Sequence, residues 1–308
     1  MKFNHSNLKT HTFKKSLLVT GIALALAACG SSNSSDNEVE GEAVGSSSFS
    51  GTVADGYLKD ARVCLDLNEN KVCDDGEPSA ISTDGGEFTL DAVTDVQLAT
   101  YSLVVEVIAG LTEDEDEPGV PIDKAYSMTA PAGYDFVSPL TTMVKQELEE
   151  NEGDVSFTLE HAEAAIQTKL GTTLDLSEDY VEAKGEDSDF SEQDKQEFEK
   201  LHKVAQVTAR IMKENIFAVE GAVENTDITF DQVLDMVVGQ VLEALQVINN
   251  EVDQTIEDGG DFDPDALAES DDITDEVAVD TDSVEDDIAA RQAEKQASSA
   301  NLVDLVAT

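Results

Sequence analysis

The sequence contains no tryptophan, and aromatic residues make up only 5 % of it. Large cores normally bury several bulky aromatic side chains, so this scarcity favours one or two modest domains over a single large one. Basic residues are also scarce: 18 Lys and Arg stand against 67 Asp and Glu, which gives a formal net charge of −49. Such a charge repels nucleic acid and anionic lipid head groups. We therefore expect no nucleic-acid partner.

The motifs that mark common enzyme classes are missing as well. The sequence has no His-Glu-x-x-His, no Gly-x-Ser-x-Gly, no phosphate-binding Gly-rich loop and no dinucleotide fingerprint. It also lacks Cys-x-x-Cys-His, so covalently bound haem is not expected. Acids are so abundant that a carboxylate pair would arise by chance. His161 and His202 lie among acids in predicted helices, and a surface or packed structural role is expected for both.

The N-terminal segment has the composition of an export signal. Its only charges are lysines, and an apolar run from Leu17 to Ala28 ends at Cys29. The run is shorter than the roughly 20 apolar residues that a membrane-spanning helix needs, so it predicts a secretory signal peptide over residues 1–28. The ending Leu-Ala-Ala-Cys resembles the lipobox of bacterial lipoproteins, in which the cysteine is acylated and becomes the mature N-terminus. The alternative is an ordinary signal peptide that contains a cysteine.

The lipobox resemblance implies a lipoprotein with a palmitate-type anchor at Cys29 and a place in the cell envelope. Gly30 stands where an inner-membrane retention signal of Gram-negative lipoproteins would place Asp. The expected location is therefore the outer membrane, with the face of the membrane left open. Residues 29–48 are rich in Ser, Gly and acids, and they predict a flexible tether.

Short apolar runs separated by Gly, Asp and Pro clusters predict β structure over residues 49–137. The predicted strands are 49–53, 61–65, 87–90, 101–108 and 125–129. In the strongest of them Leu103, Val105 and Val107 share one face, as expected when one side of a sheet covers a core. Roughly five to seven such strands favour a small antiparallel β-sandwich.

The hydrophobic period becomes helical at residue 138. Four amphipathic segments over residues 138–257 predict a bundle-like helical domain, with caps expected at Ser138, Thr158, Ser191 and Thr229. Over residues 258–308 Asp and Glu dominate and bulky residues are few, which predicts a mostly disordered acidic tail. The stretch 288–306 could form a short helix. The expected fold class is α+β: a small antiparallel β-sandwich, then the helical segment, then the disordered acidic tail.

Residues 66–77 carry the strongest chemical signal in the sequence. Counted from the first Asp, oxygen ligands fall at positions 1, 3, 5, 7, 9 and 12: Asp66, Asn68, Asn70, the Val72 carbonyl, Asp74 and Glu77. This is the ligand spacing of an EF-hand loop, and the oxygen-rich set suits Ca²⁺ better than Mg²⁺. Lys71 departs from the usual Gly at position 6, and the strand-like flanks exclude an EF-hand helix pair. The alternative is an acidic, Asn-rich surface loop that binds no metal.

Two cysteines, Cys64 and Cys73, remain once Cys29 is assigned to the lipid. An even pair in an exported chain predicts one disulfide. Metal binding by two thiols alone, or a redox pair, fits the spacing less well because it is not Cys-x-x-Cys. The bond would close a short loop around most of the ligands and stabilise the fold by roughly 2–3 kcal/mol. With only three carboxylates, one weak Ca²⁺ site is expected, with a Kd on the order of 10⁻⁴ to 10⁻³ M.

A longer pattern surrounds the loop. It runs Gly-Thr-Val-Ala-Asp-Gly-Tyr-Leu-Lys-Asp-Ala from Gly51, then the cysteine-bounded loop, Gly-Glu-Pro from Gly76, and Thr-Asp-Gly-Gly-Glu-Phe-Thr-Leu from Thr83. Over about residues 50–145 it resembles the Cna-B/SdrD-like and carboxypeptidase-regulatory-like β-sandwiches of bacterial surface lipoproteins. The resemblance implies a calcium-stabilised stalk or adhesion-type module. It also implies as ligands the side chains of Asp66, Asn68, Asn70, Asp74 and Glu77.

These features together predict a lipid-anchored cell-envelope protein without catalytic activity. A structural, adhesive or partner-binding role at the outer membrane is expected, with the membrane contacted through the N-terminal lipid and a protein or cell-surface partner beyond it. One alternative is a periplasmic accessory subunit, or an enzyme with its site in the helical segment. Another is an acidic surface protein that buffers cations.

Overall fold

A computed structural model describes the backbone of residues 47–306 and the side chains of residues 47–297. The predicted signal peptide 1–28, the acylation site Cys29 and the tether up to residue 46 lie outside the described residues. The described residues all fall within one unit by chain contacts, Val44–Thr308.

The first half of the described chain is built from short strands. They are β1 (Ser47–Val53), β2 (Leu58–Lys59), β3 (Arg62–Leu65), β4 (Ser79–Ile81), β5 (Glu87–Val93), β6 (Leu103–Val107), β7 (Glu113–Asp114), β8 (Tyr126–Ala130) and β9 (Phe136–Val137). They form three small sheets with the orders β5-β1-β9, β2-β7 and β4-β3-β6-β8. β1 and β9 run parallel, while the other pairs are antiparallel. Each predicted strand corresponds to one of these elements.

Strand β6 shows how the alternation of residues positions the four-stranded sheet. Leu103, Val105 and Val107 face the main core, as the sequence predicts. Val104 lies on the opposite face, where it packs in a small separate cluster with Cys64 and Cys73. The outer face of this sheet is therefore covered in part by the cysteine pair.

The remaining chain is mostly helical. The helices are α1 (Asp95–Thr100), α2 (Pro139–Glu150), α3 (Leu159–Leu170), α4 (Tyr180–Ala183), α5 (Glu192–Val223), α6 (Phe230–Glu257), α7 (Pro264–Ala268), α8 (Asp271–Val277) and α9 (Val284–Val306). The sequence analysis did not predict α1 and α4.

Several helix ends lie where their capping residues predict them. Ser138 accepts a hydrogen bond from the backbone N–H of Thr141 at 3.2 Å, and Pro139 occupies the first helical position of α2. Gly171 ends α3 in the left-handed conformation, with φ of 66°. Thr229 and Gln232 form a capping box at the start of α6.

Helices and sheets share one hydrophobic core. Tyr180 of α4 links them: its ring meets Phe136 edge-on at 5.0 Å, and its hydroxyl donates to the Ala54 carbonyl at 2.9 Å. The fold is therefore a mixed α and β structure with small sheets and several helices, as predicted at that level.

The acidic segment differs from its prediction as a mostly disordered tail. The structure places α7, α8 and α9 there, and the buried residues Ile273, Val277, Val284 and Ile288 join the core. The apolar residues are few, but within each helix they lie four apart, Ile273 with Val277 in α8 and Val284 with Ile288 in α9. This spacing aligns each pair on one face of its helix. Composition alone underestimates such a sparse stripe, and the prediction is corrected accordingly.

Arg291 ties the last helix to α6. Its Nε donates to the buried Asp235 at 2.9 Å, and Lys295 also binds that carboxylate. A side chain at Gly239 would meet the guanidinium at 2.2 Å, so glycine leaves the room that the arginine needs. Although burial raises the pKa of Asp235, the hydrogen bonds from Lys295 and Gln146 and the charge of Arg291 lower it to about 2.

Candidate functional site

The loop 66–77 connects β3 to β4 and is closed by a disulfide. Cys64 and Cys73 are bonded, with their Cα atoms 5.5 Å apart. Both sulfurs are buried against Val104 on the outer face of the four-stranded sheet. The predicted pairing is confirmed, and it attaches the middle of the loop to the sheet.

Asp66 organises the first half of the loop. Its side chain is buried and accepts backbone hydrogen bonds from Asn70 at 3.2 Å and from Lys71 at 2.8 Å. Asn68 adds a second acceptor for the Asn70 N–H at 3.2 Å. These bonds fold residues 66–71 around the carboxylate, because backbone N–H groups in a tight turn converge on one acceptor.

Asp74 and Glu77 organise the second half. Asp74 Oδ2 accepts from the side-chain amides of Asn68 at 2.7 Å and Asn70 at 2.8 Å. These two hydrogen bonds lower the pKa of Asp74. Glu77 reaches back across the loop and accepts from the backbone N–H groups of Leu67 at 2.8 Å and Asp74 at 3.0 Å. The structure thus brings the five predicted ligand side chains together in one place.

Lys71 explains how the loop turns without glycine at position 6. The residue has a φ of 59°, the left-handed conformation that glycine adopts most easily. Its side chain forms an ion pair with Glu149 of α2 at 2.6 Å, and Lys145 binds the same carboxylate at 2.6 Å. Although burial raises the pKa of Glu149, the charges of the two lysines lower it to about 2. The loop is therefore fastened to the helical layer at one of its two non-glycine residues in the left-handed conformation, Glu69 being the other.

The donor set of the loop mixes carboxylates with amides and a carbonyl. Across residues 47–297, no group of three or more His, Cys, Asp or Glu side chains is gathered closely enough to hold a metal. In the loop, Asp66, Asp74 and Glu77 supply the carboxylates, while Asn68 and Asn70 supply the other side chains. Such hard oxygen donors are the ones that Ca²⁺ prefers. Val72, the sixth predicted ligand, donates its N–H to Asn70 Oδ1 at 3.0 Å.

A second cluster of charges is buried between the strands and helix α5. Arg210 lies at its centre, with Nη1 3.6 Å from Asp55 and 3.9 Å from Asp114. Its other nitrogens bind Glu117 at 2.8 Å and Asp265 at 3.1 Å. One guanidinium therefore holds four carboxylates from three separate segments of the chain.

The two buried acids of this cluster hold their protons more tightly than usual. Asp55 is 0 % exposed and Asp114 is 2 % exposed. Burial raises the pKa of Asp55 against the charge of Arg210 and a 3.0 Å hydrogen bond from Tyr126. Burial, together with the charge of Asp55, raises the pKa of Asp114 to about 8. Burial therefore favours the protonated form of both carboxyl groups, while the charge of Arg210 opposes it.

His202 lies beside this cluster in a packed position. Its ring stacks on Tyr180 at 5.4 Å, and Nδ1 contacts Lys184. Nε2 lies 2.9 Å from Asp116 Oδ2, at ion-pair distance but without the angle of a hydrogen bond. Burial lowers the pKa of Lys184. These contacts place His202 in the interior, one of the two structural settings that the sequence predicts for it.

Sequence reasoning missed the buried charge cluster. One signal could have indicated it: the chain has only three arginines, Arg62, Arg210 and Arg291. Arginine keeps its charge when buried and can bind two acceptors at once. Two of the three lie in helices and contact buried carboxylates. The partners themselves, such as Asp114, are indistinguishable in sequence from the many surface acids.

Within residues 47–306, no helix combines the length and the apolar character that crossing a bilayer requires. The chain matches no protein-family model, no curated protein and no solved structure.

Proposed function

We propose that this chain is a lipid-anchored protein of the cell envelope whose β module is stabilised by one Ca²⁺ ion. Its role is structural, adhesive or partner-binding at the outer membrane. The observation that carries the proposal is the convergence of the five oxygen-bearing side chains in the disulfide-closed loop 66–77.

The hydrogen bonds within the loop support Ca²⁺ binding in particular. Asp74 accepts from two amides, and Asp66 and Glu77 bind only backbone N–H groups across the loop. Asn68 and Asn70 already lie against Asp74, so their amide oxygens are available beside this carboxylate once the amides rotate. A cation bound by these groups would stabilise the ionised carboxylates, since opposite charge within a few ångströms favours the ionised form. The backbone is already folded around these groups, so little ordering would remain for the ion to impose.

We also propose that the β5-β1-β9 and β4-β3-β6-β8 sheets form the two layers of a small sandwich. Residues of both sheets, including Phe88, Leu90, Val105 and Met128, belong to the same core. The helices would then cover the open side of this sandwich, where Thr141 and Thr142 of α2 bind the backbone of β8. This arrangement presents the loop 66–77 at the junction of strands and helices.

Export is supported by the disulfide and by the sequence around Cys29. Disulfides persist in oxidising compartments such as the periplasm and the cell surface. The lipobox-like Leu-Ala-Ala-Cys would attach the chain to the membrane, and the acidic surface would keep the rest of the protein away from anionic head groups. Nothing in the proposal requires catalysis, nucleic acid or haem.

The Ca²⁺ site is tested by thermal unfolding of the purified protein in EDTA and in millimolar Ca²⁺. With the Kd expected above, 1 mM Ca²⁺ would stabilise the fold by about 0.4–1.4 kcal/mol, which raises the Tm by roughly 1–5 °C. Glu77→Gln should abolish this shift, because it removes the terminal carboxylate while keeping the side chain's length. Glu69→Gln is the matched control, since Glu69 lies in the same loop, is exposed and is not a predicted ligand. Equal shifts in the two variants, or no shift in the wild type, would refute the site.

The anchor is tested separately by labelling growing cells with radioactive palmitate. Label should appear in the wild type and not in Cys29→Ser. Proteinase treatment of intact cells then distinguishes the two faces of the membrane. A fully protected wild-type protein would exclude display at the cell surface and favour a periplasmic position.

A further inference from the structure

Two adjoining depressions form a groove between the loop 66–77 and the connection of α5 to α6. The first has a volume of about 380 Å³ and lies between Val72, the end of β6 and Phe230. The second has a volume of about 450 Å³ and lies along the end of α5, beside Phe217. Glu220 and Phe230 line both depressions and therefore stand between them.

The lining of the groove is largely apolar. Val72, Val107 and Ile108 line the first depression, and Ile228 lines the second. Phe217 is 55 % exposed and adds an aromatic ring to the rim of the second depression. Exposed apolar concavities in soluble proteins commonly mark binding sites.

The charges of the groove are all negative. Among the described residues that line it, none is Lys, Arg or His, while Glu106, Glu220 and Glu224 are acids. Glu106 accepts from the backbone N–H of Cys73 at 2.8 Å and pairs with Arg62. Its charge is therefore already matched within the protein.

Glu220 has no such match. Its side chain is exposed, and within residues 47–297 no hydrogen bond or ion pair to it is formed. Partial desolvation is the cause that raises its pKa. The neighbouring Lys124 lies over the ring of Phe217 at 5.0 Å and is paired with Glu214. An unpaired carboxylate between two apolar depressions is complementary to a cation flanked by apolar groups.

We propose that the groove binds a segment of a partner protein that carries a Lys or Arg between two apolar side chains. The apolar side chains would fill the two depressions, and the cation would pair with Glu220. This inference rests on the partner-binding role proposed above and names the surface and the chemistry of the partner. A lipid surface fits less well, because the acidic rim repels anionic head groups.

The test is fluorescence anisotropy of the purified protein with a short synthetic peptide of alternating Leu and Lys clusters, at physiological ionic strength. Two further peptides of equal length serve as controls. One has Ser in place of Leu and tests the need for apolar side chains, and the other has Glu in place of Lys and tests the need for positive charge. We expect saturable binding of the Leu-Lys peptide and no saturable binding of the other two peptides. Equally tight binding of the Lys-Ser peptide would show diffuse attraction to an acidic protein and would overturn the proposal.

Variants of the protein then locate the site. Glu220→Gln should weaken binding roughly threefold, and Phe217→Ser roughly tenfold because a large apolar contact is lost. The matched controls are Glu276→Gln, an exposed acid on α8, and Val155→Ser, an 82 % exposed apolar residue outside the groove. Both controls should bind as the wild type does. Equal affinity in all four variants would overturn the proposal.

A binding experiment with lipid vesicles distinguishes a protein partner from a membrane surface. If Phe217→Ser reduces binding to phosphatidylcholine vesicles but leaves peptide binding unchanged, the groove contacts lipid and the proposal fails. The outcome is also separable from that of the Ca²⁺ site. If the wild type binds the peptide but shows no Ca²⁺-dependent Tm shift, the Ca²⁺ site is refuted and the groove stands. If it shows the Tm shift but does not bind the peptide, the groove is refuted and the Ca²⁺ site stands.

Discussion

Replacing the buried Arg210 by methionine should destabilise the fold more than removing any single surface charge of α5. The methionine keeps most of the apolar stem but removes the guanidinium that lies 3.6 Å from Asp55 and 3.9 Å from Asp114. Both carboxyl groups are buried. Without the cation, whichever of the two carboxyl groups is ionised must take up a proton or remain charged in a medium of low polarity, and both outcomes cost free energy.

The magnitude follows from the burial of each contact. Removing one partner of a buried ion pair costs about 3–5 kcal/mol. The contacts of Arg210 with Glu117 and Asp265 add little, because these acids are 49 % and 63 % exposed and such pairs contribute about 0–1 kcal/mol each. The Tm should therefore fall by roughly 6–15 °C at neutral pH.

Urea unfolding followed by far-ultraviolet circular dichroism measures this loss. The transition midpoint should fall without a change in slope, because the surface exposed on unfolding stays the same. Arg62→Met is the matched control: Arg62 pairs with Glu106 at 3.5 Å near the surface, and its loss should cost less than about 1 kcal/mol. The double variant Arg210→Met with Asp55→Asn should recover part of the stability, since it removes the unpaired charge as well.

Two results would refute this reasoning. If Arg210→Met and Arg62→Met lose the same free energy of unfolding, the buried location of Arg210 does not matter. If the added Asp55→Asn lowers stability further instead of restoring it, the loss does not arise from an uncompensated buried charge.

Two other predictions concern pH and backbone strain. The raised pKa of Asp114, about 8 in the folded protein against 3.8 in the unfolded chain, means that the folded state binds the extra proton. Its contribution to stability is present below about pH 4 and is lost as the pH rises through about 8. The Tm of the wild type should therefore fall more steeply between these pH values than the Tm of Asp114→Asn. Equal slopes in the two proteins would contradict the raised pKa of Asp114. In urea unfolding, Lys71→Ala should destabilise the protein more than Lys71→Gly. Both variants lose the ion pair with Glu149, but glycine adopts the left-handed conformation at about 1 kcal/mol less strain. The opposite order would show that the φ of Lys71 carries no strain.

Most local features of the fold could be predicted because they depend on neighbouring residues. The caps at Ser138 and Thr229 and the terminator Gly171 act within one helical turn. The alternation in β6 needs only the two-residue period of a strand. The cysteine pair and the ligand spacing of the loop are also local in sequence. The helix α1 was missed although Thr94 and Gln97 form a capping box, because so short a helix has little periodicity to detect.

The errors and omissions arose where partners are distant in sequence. The helices of the acidic segment are held by contacts with α5 and α6, so their few apolar residues looked insufficient when considered alone. The groove beside Phe217 depends on the approach of the α5–α6 connection to the end of β6, which no periodicity reports.

The sequence by itself predicted the disulfide, five of the strands and the starts of the four main helices. It also supplied the residues of the candidate loop and the proposal of a lipid anchor at Cys29. Only the tertiary structure decided which acids are buried and paired. Asp55 and Asp114 look like any other acid among 67. They differ because packing buries them and brings Arg210, more than 90 residues away along the chain, within reach. The energy of a charge depends on its surroundings in space, and those surroundings exist only once the distant segments have packed together.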